Sequence, residues 1–139
     1  MTSVRKTIAA RLVESKTTIP HYYAQVDINM DQVIKVREEL NQNEKENGVK
    51  ISINDFIMRA TALASRDYPD VNVQWGDKTI KKYKYVDLAM AVATDKGLIT
   101  PIIFRADTKG LLDIARASKD LAKRARESKL LPQEFQVQL

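Results

Sequence analysis

The sequence contains no cysteine and one histidine, His21. Within these residues that excludes disulfides, thiolate metal sites and any zinc set needing a second histidine or a cysteine. Glycine and proline number four each. Neither G-x-x-x-x-G-K nor G-x-G-x-x-G occurs, so the standard loops that cradle nucleotide phosphates are absent. The acidic residues are scattered, and no spacing argues for a paired-carboxylate site. No apolar run approaches the ~20 residues of a membrane-spanning helix, and no signal-peptide h-region stands at the N-terminus. The lack of cysteine fits a reducing compartment.

What is present is the composition of a soluble, intracellular globular domain. The 139 residues are 44% hydrophobic and 29% charged, enough for one domain with a buried core. The net charge is +5 and the isoelectric point about 9.4. A basic balance suits an anionic partner, whether nucleic acid, a membrane surface or a phosphorylated small molecule, and it also serves plain solubility.

Hydrophobic periodicity organises the chain into alternating helices and strands. Ser3 opens a helix in which Val4, Ile8 and Leu12 fall at steps of four; Thr17-Thr18-Ile19-Pro20 ends it. Residues 21–30 read as a strand, with Ala24, Val26, Ile28 and Met30 alternating with Tyr23, Gln25, Asp27 and Asn29. Asp31 caps a following helix through Val33, Val36 and Leu40, which gives way to a polar loop over 41–48. Ser52-Ile-Asn-Asp55 matches a capping box, and Ile53, Phe56, Ile57, Ala60, Leu63 and Ala64 form the helical stripe behind it.

The second half is built on a hairpin. Residues 71–75 form a short extended piece with a turn at Gly76-Asp77. Residues 85–94 form a strand with Leu88, Met90 and Val92 on one face and Ala89, Ala91 and Ala93 on the other. Asp95-Lys96-Gly97 is turn chemistry, and residues 98–104 resume the strand, where Pro101 predicts an edge or a bulge. A last helix follows Gly110. Leu111, Ile114, Ala115, Ser118, Leu121, Ala122 and Ala125 are its inner face, and Arg116, Lys119, Lys123, Arg124 and Arg126 a basic outer face. The class is α/β or α+β with a mixed sheet.

Taken residue by residue, this pattern holds no self-sufficient catalytic constellation. His21 sits just after Pro20, where a ring nitrogen ties a helix end to the sheet, and reads as structural. The basic helix face lacks interleaved aromatics and is interrupted by Asp113, Asp120 and Glu127, so it reads as a solvated face rather than a nucleic-acid surface. Arg37, among Lys35, Glu38 and Glu39, is by composition an ordinary surface arginine.

Five stretches in series carry a resemblance: RKTIAARLVESKTTIPHYY (5–23), KISINDFIMRATALA (50–64), YPDVNVQW (68–75), VDLAMAVATDKGLITPII (86–103) and LAKRARESKLLPQEFQ (121–136). In order and spacing the chain resembles the acyltransferase (E2) core domain of 2-oxoacid dehydrogenase complexes. The DKGLITPII and LLPQEFQ forms look most like the mitochondrial pyruvate dehydrogenase branch, which includes a catalytic acetyltransferase and a non-catalytic E3-binding paralogue. The resemblance implies a chloramphenicol-acetyltransferase-like, coenzyme A-dependent acyltransferase fold. It also implies trimers that build large cubic or dodecahedral cores, with E1 and E3 as indirect partners. The implied reaction moves an acyl group from a dihydrolipoyl thioester to coenzyme A. In the family a histidine of H-x-x-x-D-G is the general base, and a hydroxyl of a T-I-S-N-L-G-like stretch stabilises the oxyanion, in a site between subunits.

Neither motif occurs in this sequence, and His21 belongs to the I-P-H stretch, not to the catalytic motif. Residues 1–139 are therefore expected to be the N-terminal portion of the core domain, incomplete at the C-terminus and inactive alone. No catalytic and no metal-binding residue is assigned. Coenzyme A is the implied substrate, and the lipoyl group is carried on a domain not present here. By the same resemblance Arg37, in VIKVREEL, contacts coenzyme A; a planar, always-charged guanidinium suits a phosphate. The stretch at Asn72-Val73-Gln74 departs from the family's N-S-S-W-like form, and no role is transferred to it. The AVATDKGLITPII hairpin would line the acyl-transfer channel of a complete member; in this chain it reads as a core hairpin. The alternatives are a scaffold subunit like the E3-binding paralogue and, remotely, a basic nucleic-acid-binding domain. The implied location is the mitochondrial matrix, or the cytoplasm of a bacterium.

Overall fold

The computed structural model describes residues 3–43, 48–76, 78–95 and 97–135. Four helices carry the fold: α1 (Ser3–Thr18), α2 (Asp31–Asn43), α3 (Ile53–Asp67) and α4 (Leu111–Arg126). Six short strands lie between α3 and α4: β1 (Val73–Trp75), β2 (Ile80–Lys82), β3 (Leu88–Ala89), β4 (Val92–Thr94), β5 (Gly97–Ile99) and β6 (Ile102–Ile103). This is an α+β arrangement. Every strand pair among the described residues is antiparallel, so the mixed sheet expected from the sequence is not formed here.

α3 begins as the capping box requires. The Asp55 N–H donates to Ser52 Oγ at 3.2 Å, and the Ser52 N–H donates to Asp55 Oδ2 at 2.7 Å. Asp55 is 2% exposed, and its second oxygen accepts from Ser118 Oγ of α4 at 2.7 Å. The cap thus doubles as the polar joint between two packed helices. The buried face of α3 is not the predicted stripe. Asp55, Met58 and Ala62 point inward, while Ile53, Ile57, Ala60 and Ala64 stay exposed. Periodicity locates an apolar face; it does not say which partner covers it.

The predicted strand over 85–94 and its return are one hairpin with one register. Leu88 opposes Ile103, Ala89 opposes Ile102, Val92 opposes Ile99 and Thr94 opposes Gly97. Every pair keeps the same register, so there is no bulge. The ladder is interrupted only where Met90 meets Pro101: the Met90 N–H donates to the Pro101 carbonyl at 2.9 Å, and the ring nitrogen has no proton to return. Among the described residues strand 97–103 pairs on one side only, as an edge strand containing proline should. Gly97 takes a φ of 123°, a conformation that L side chains rarely adopt. Lys96 and Asp77, assigned to turns from the sequence, lie outside the described residues, as do 44–47 of the polar loop and Gln136. A second hairpin, β1 with β2, was foreseen only in its first strand.

α4 is the keel. Ile114, Ala115, Ser118, Leu121 and Ala125 are buried, as the sequence predicts. With Met58, Ala62, Val86, Ile103 and Ala106 these form the core, and Leu88 and Met90 from the hairpin pack against it. Each large apolar side chain so buried contributes roughly 1.5–3 kcal/mol. Asp107, 8% exposed, accepts from the Val86 N–H at 3.1 Å and stitches the strand entry to the turn before α4. Arg124 is an exception to the basic outer face: it is half-buried and bound to Glu134, not solvated.

The N-terminal part differs from expectation. Residues 19–30 form no strand: they have no ladder partner among the described residues, and their apolar side chains other than Met30 are exposed. A strand needs a neighbouring edge to satisfy its backbone, and none of the described residues supplies one. α1 forms, but Ile8 and Leu12 are exposed on it. At the start of α2 the cap comes from Asn29, whose Oδ1 accepts from the Asp31 N–H at 2.8 Å; Asp31 is itself helical. Asn41, expected in the loop, lies in the last turn of α2 and clasps Ile51 through both its amide atoms, at 2.7 and 3.0 Å.

Candidate functional site

The two hairpins and the turn after α4 enclose a cleft of about 760 Å³, within the usual range for a small-molecule site. Ala89 and Ile102 form its floor, a cross-strand pair of the AVATDKGLITPII hairpin. The small side chain at 89 is what leaves the floor open. Tyr83, Tyr85 and Phe104 supply aromatic walls, and Asn72 and Gln74 supply amides.

Each wall is held by specific bonds. Asn72 Nδ2 donates to the Tyr85 carbonyl at 3.0 Å, and the Tyr83 hydroxyl donates to Gln74 Oε1. These bonds lock the β1–β2 hairpin to the segment leading into β3. Arg105 lies over the Tyr85 ring at 4.2 Å, a cation–π contact. Its backbone has a φ of 51°, in the left-handed region that costs a non-glycine residue, and its N–H donates to Asp87 Oδ1 at 2.7 Å.

The remaining wall is the turn Pro132–Glu134. Arg124 grips it from α4: Nη1 and Nη2 donate to the two Glu134 oxygens at 2.6 and 2.7 Å, while Nε donates to Asp120 at 2.8 Å. The Leu131 N–H adds a third bond to Glu134 at 2.8 Å. The guanidinium's hydrogen bonds hold the Glu134 carboxyl below the usual carboxylate range, against an opposing push from burial. The same bonds raise the Arg124 guanidinium above its already high ordinary value.

Chemically the cleft is a binding surface. Its lining carries aromatic and amide groups and two carboxylates, Asp87 and Glu134, and includes no histidine, lysine or arginine. It suits an uncharged, partly apolar arm and disfavours a phosphate. It holds no histidine to serve as general base for a thiol. His21 lies elsewhere, exposed on segment 19–30, with Nδ1 2.7 Å from the Ile19 carbonyl. It therefore closes the end of α1 locally and ties nothing to a sheet.

Arg37 does not line the cleft. It is half-buried on α2, and its Nε is buried without a hydrogen-bond partner. A second hollow, about 400 Å³, lies between the end of α2 and the start of α4, with Leu40 and Arg116 on its rim. Arg37 and Leu40 are three residues apart, so they share a helix face. Sequence reasoning singled out the hairpin that floors the cleft, whereas Arg37, its one candidate site residue, lies outside the cleft. It missed Tyr83, Tyr85, Arg105 and the Arg124–Glu134 pair, whose partners are separated in sequence and which carry no short-range motif.

A family model described as 2-oxoacid dehydrogenases acyltransferase (catalytic domain) matches residues 1–138. The chain is 51% identical to the dihydrolipoyllysine-residue acetyltransferase component of the mitochondrial pyruvate dehydrogenase complex of Caenorhabditis elegans, over 98% of this chain and 28% of that protein. It is 46% identical to the corresponding component of Rickettsia bellii, over 96% of this chain and 32% of that one. It is 48% identical to the mitochondrial pyruvate dehydrogenase protein X component of Mus musculus, over 96% and 26%. The chain thus spans about a third or less of these relatives. Among solved structures it resembles the cubic core of the pyruvate dehydrogenase multienzyme complex, with a TM-score of 0.92 and 28% identity over 99% of this chain and 57% of that one. The dihydrolipoamide acetyltransferase of Azotobacter vinelandii gives 0.92 and 27%, with the same coverage.

Proposed function

This chain belongs to the family of 2-oxoacid dehydrogenase acyltransferase catalytic domains, and from that premise we propose that residues 1–139 are the N-terminal portion of the core domain of a pyruvate dehydrogenase E2 component. The cleft between the hairpins is this chain's share of the acyl-transfer channel. It receives the acyl-dihydrolipoyl arm, and coenzyme A approaches from the side of α2, where Arg37 pairs with a phosphate. Transfer needs a base to take the thiol proton of coenzyme A. The thiolate then attacks the thioester carbonyl, and the dihydrolipoyl thiolate leaves. The cleft supplies orientation and an apolar surround; the base and the oxyanion donor come from outside these residues.

The observation that carries this reading is the cleft itself. It is floored by the hairpin and lined without a histidine, as expected of one half of a site shared with another surface. The exposed apolar residues of α1, segment 19–30 and α3 support assembly with homologous core subunits, with E1 and E3 as indirect partners. The mitochondrial matrix is the proposed location, in line with the worm and mouse relatives; bacterial relatives match comparably.

The test pairs this chain with a catalytic-domain subunit that carries H-x-x-x-D-G. Alone, the chain should show no acetyl transfer between dihydrolipoamide and coenzyme A. In the assembled core, Arg37→Ala should weaken coenzyme A binding about tenfold or more by calorimetry, the worth of about 1–3 kcal/mol for a charge-assisted bond, while leaving folding unchanged. Dephospho-coenzyme A, titrated in parallel, reports which phosphate is read. Equal affinities in wild type and variant would return Arg37 to an ordinary surface charge.

A further inference from the structure

The Arg124–Glu134 pair does more in space than tie a turn to a helix. Beyond the cleft lies a smaller hollow of about 230 Å³, and Ile102, Phe104 and Glu134 line both. Those three side chains are the wall between the two spaces. Ile102 is locked in the β3–β6 ladder, whereas Glu134 stands in place because Arg124 holds both its oxygens. The pair is sheltered: the Arg124 side chain is 28% exposed and that of Glu134 17%, unlike the exposed ion pairs elsewhere on the chain. On the far side Ile103, Ala117 and Leu121 give the hollow an apolar part, and Lys109 and Asp120 also line it.

We propose that the Arg124–Glu134 ion pair is a size-limiting wall that sets which acyl groups the cleft accepts. The inference rests on the reading of the cleft as part of an acyl-transfer channel. A short acyl group fits within the cleft and leaves the wall untouched. A longer, unbranched tail would have to enter the apolar hollow, and the charged oxygens of Glu134 stand in its way. They cannot swing aside without breaking a bidentate bond, which leaves Glu134 with only the Leu131 N–H and Arg124 with only Asp120. Remove the carboxylate and the two spaces join. Each added methylene then gains apolar contact, the kind of increment that separates acyl substrates.

The experiment titrates S-acetyl- and S-hexanoyl-dihydrolipoamide into the chain, read by amide and methyl NMR. Wild type should bind the hexanoyl probe no better than the acetyl probe, with shifts at Tyr83, Ala89 and Phe104. Glu134→Ala should raise the hexanoyl-to-acetyl affinity ratio about tenfold and bring the methyls of Ile103 and Leu121 into the hexanoyl response. Swapping the pair, Arg124→Glu with Glu134→Arg, should restore the wild-type ratio. A merely structural pair would weaken both probes alike and leave the ratio unchanged, which overturns the proposal. If neither probe shifts the cleft in wild type, the channel reading fails. Dissolved xenon then judges the wall alone: a larger response at Ile103 and Leu121 in Glu134→Ala than in wild type sustains it, and equal responses refute it.

Discussion

Two regions of this molecule follow the same local rules and meet different fates. Between Ile51 and Ala125 many apolar residues find cover: Ala62, Ile114 and Ala115 are 0% exposed, although Ile57, Trp75 and Leu98 are left uncovered. In the first 30 residues they do not. Leu12 is 60% exposed, Val26 77% and Tyr22 90%, although their spacing is as regular as that of the core. The contrast separates what forms an element from what buries it. α1 forms because its residues favour a helix and Pro20 ends it nearby. Among the described residues nothing covers Ile8, Leu12 or Val13 on it. Residues 19–30 alternate like a strand and lack the edge that would make them one.

The strongest way to break the contrast is in the core. Ile114→Ala removes a side chain packed between α4, α3 and the hairpin, and should cost about 2–5 kcal/mol by urea denaturation. A loss under 1 kcal/mol would mean that the body is as loosely held as the arm.

A smaller, opposite effect sharpens the picture at the end of α4. Ser128 has a φ of 57° and closes a Schellman turn: its N–H donates to Ala125 at 3.2 Å, and the Lys129 N–H donates to Arg124 at 2.8 Å. Glycine meets that backbone conformation without the steric penalty of a side chain. Ser128→Gly should stabilise the chain by about 0.5–1 kcal/mol, and by keeping Arg124 in register it should leave the cleft unchanged. A destabilised variant would place the strain elsewhere.

The smallest effect is expected in the arm. Leu12→Ala should change the unfolding midpoint of the monomer by less than about 0.5 kcal/mol, as an exposed substitution does. The same variant measured at rising protein concentration turns the prediction into a test of assembly. If a second surface covers α1, wild type gains stability with concentration and the variant gains less.

Against the sequence, the folded chain sorts its residues by range. The capping box at Ser52 and Asp55, the inner face of α4 and the consequence of Pro101 were legible because each involves neighbours within a turn or across a short hairpin. The family resemblance was legible for another reason: it rests on a series of local stretches in order. The Asn41 clasp on Ile51, the Ser118 bond to Asp55 and the cleft walls were not legible. Each joins residues nine or more apart through geometry that no local pattern announces.

The sequence by itself determined the four helices, the long hairpin, the family and the absence of any thiolate or paired-histidine chemistry within these residues. Those properties depend on backbone preferences and on which atoms are present. Only the tertiary structure decided that Met58 and Ala62, rather than Ile53 and Ile57, face the core, that residues 19–30 stay unpaired, and that Arg124 leaves the basic face to hold Glu134. Burial and ion pairing are properties of two surfaces at once. A single stretch of sequence specifies only one of them.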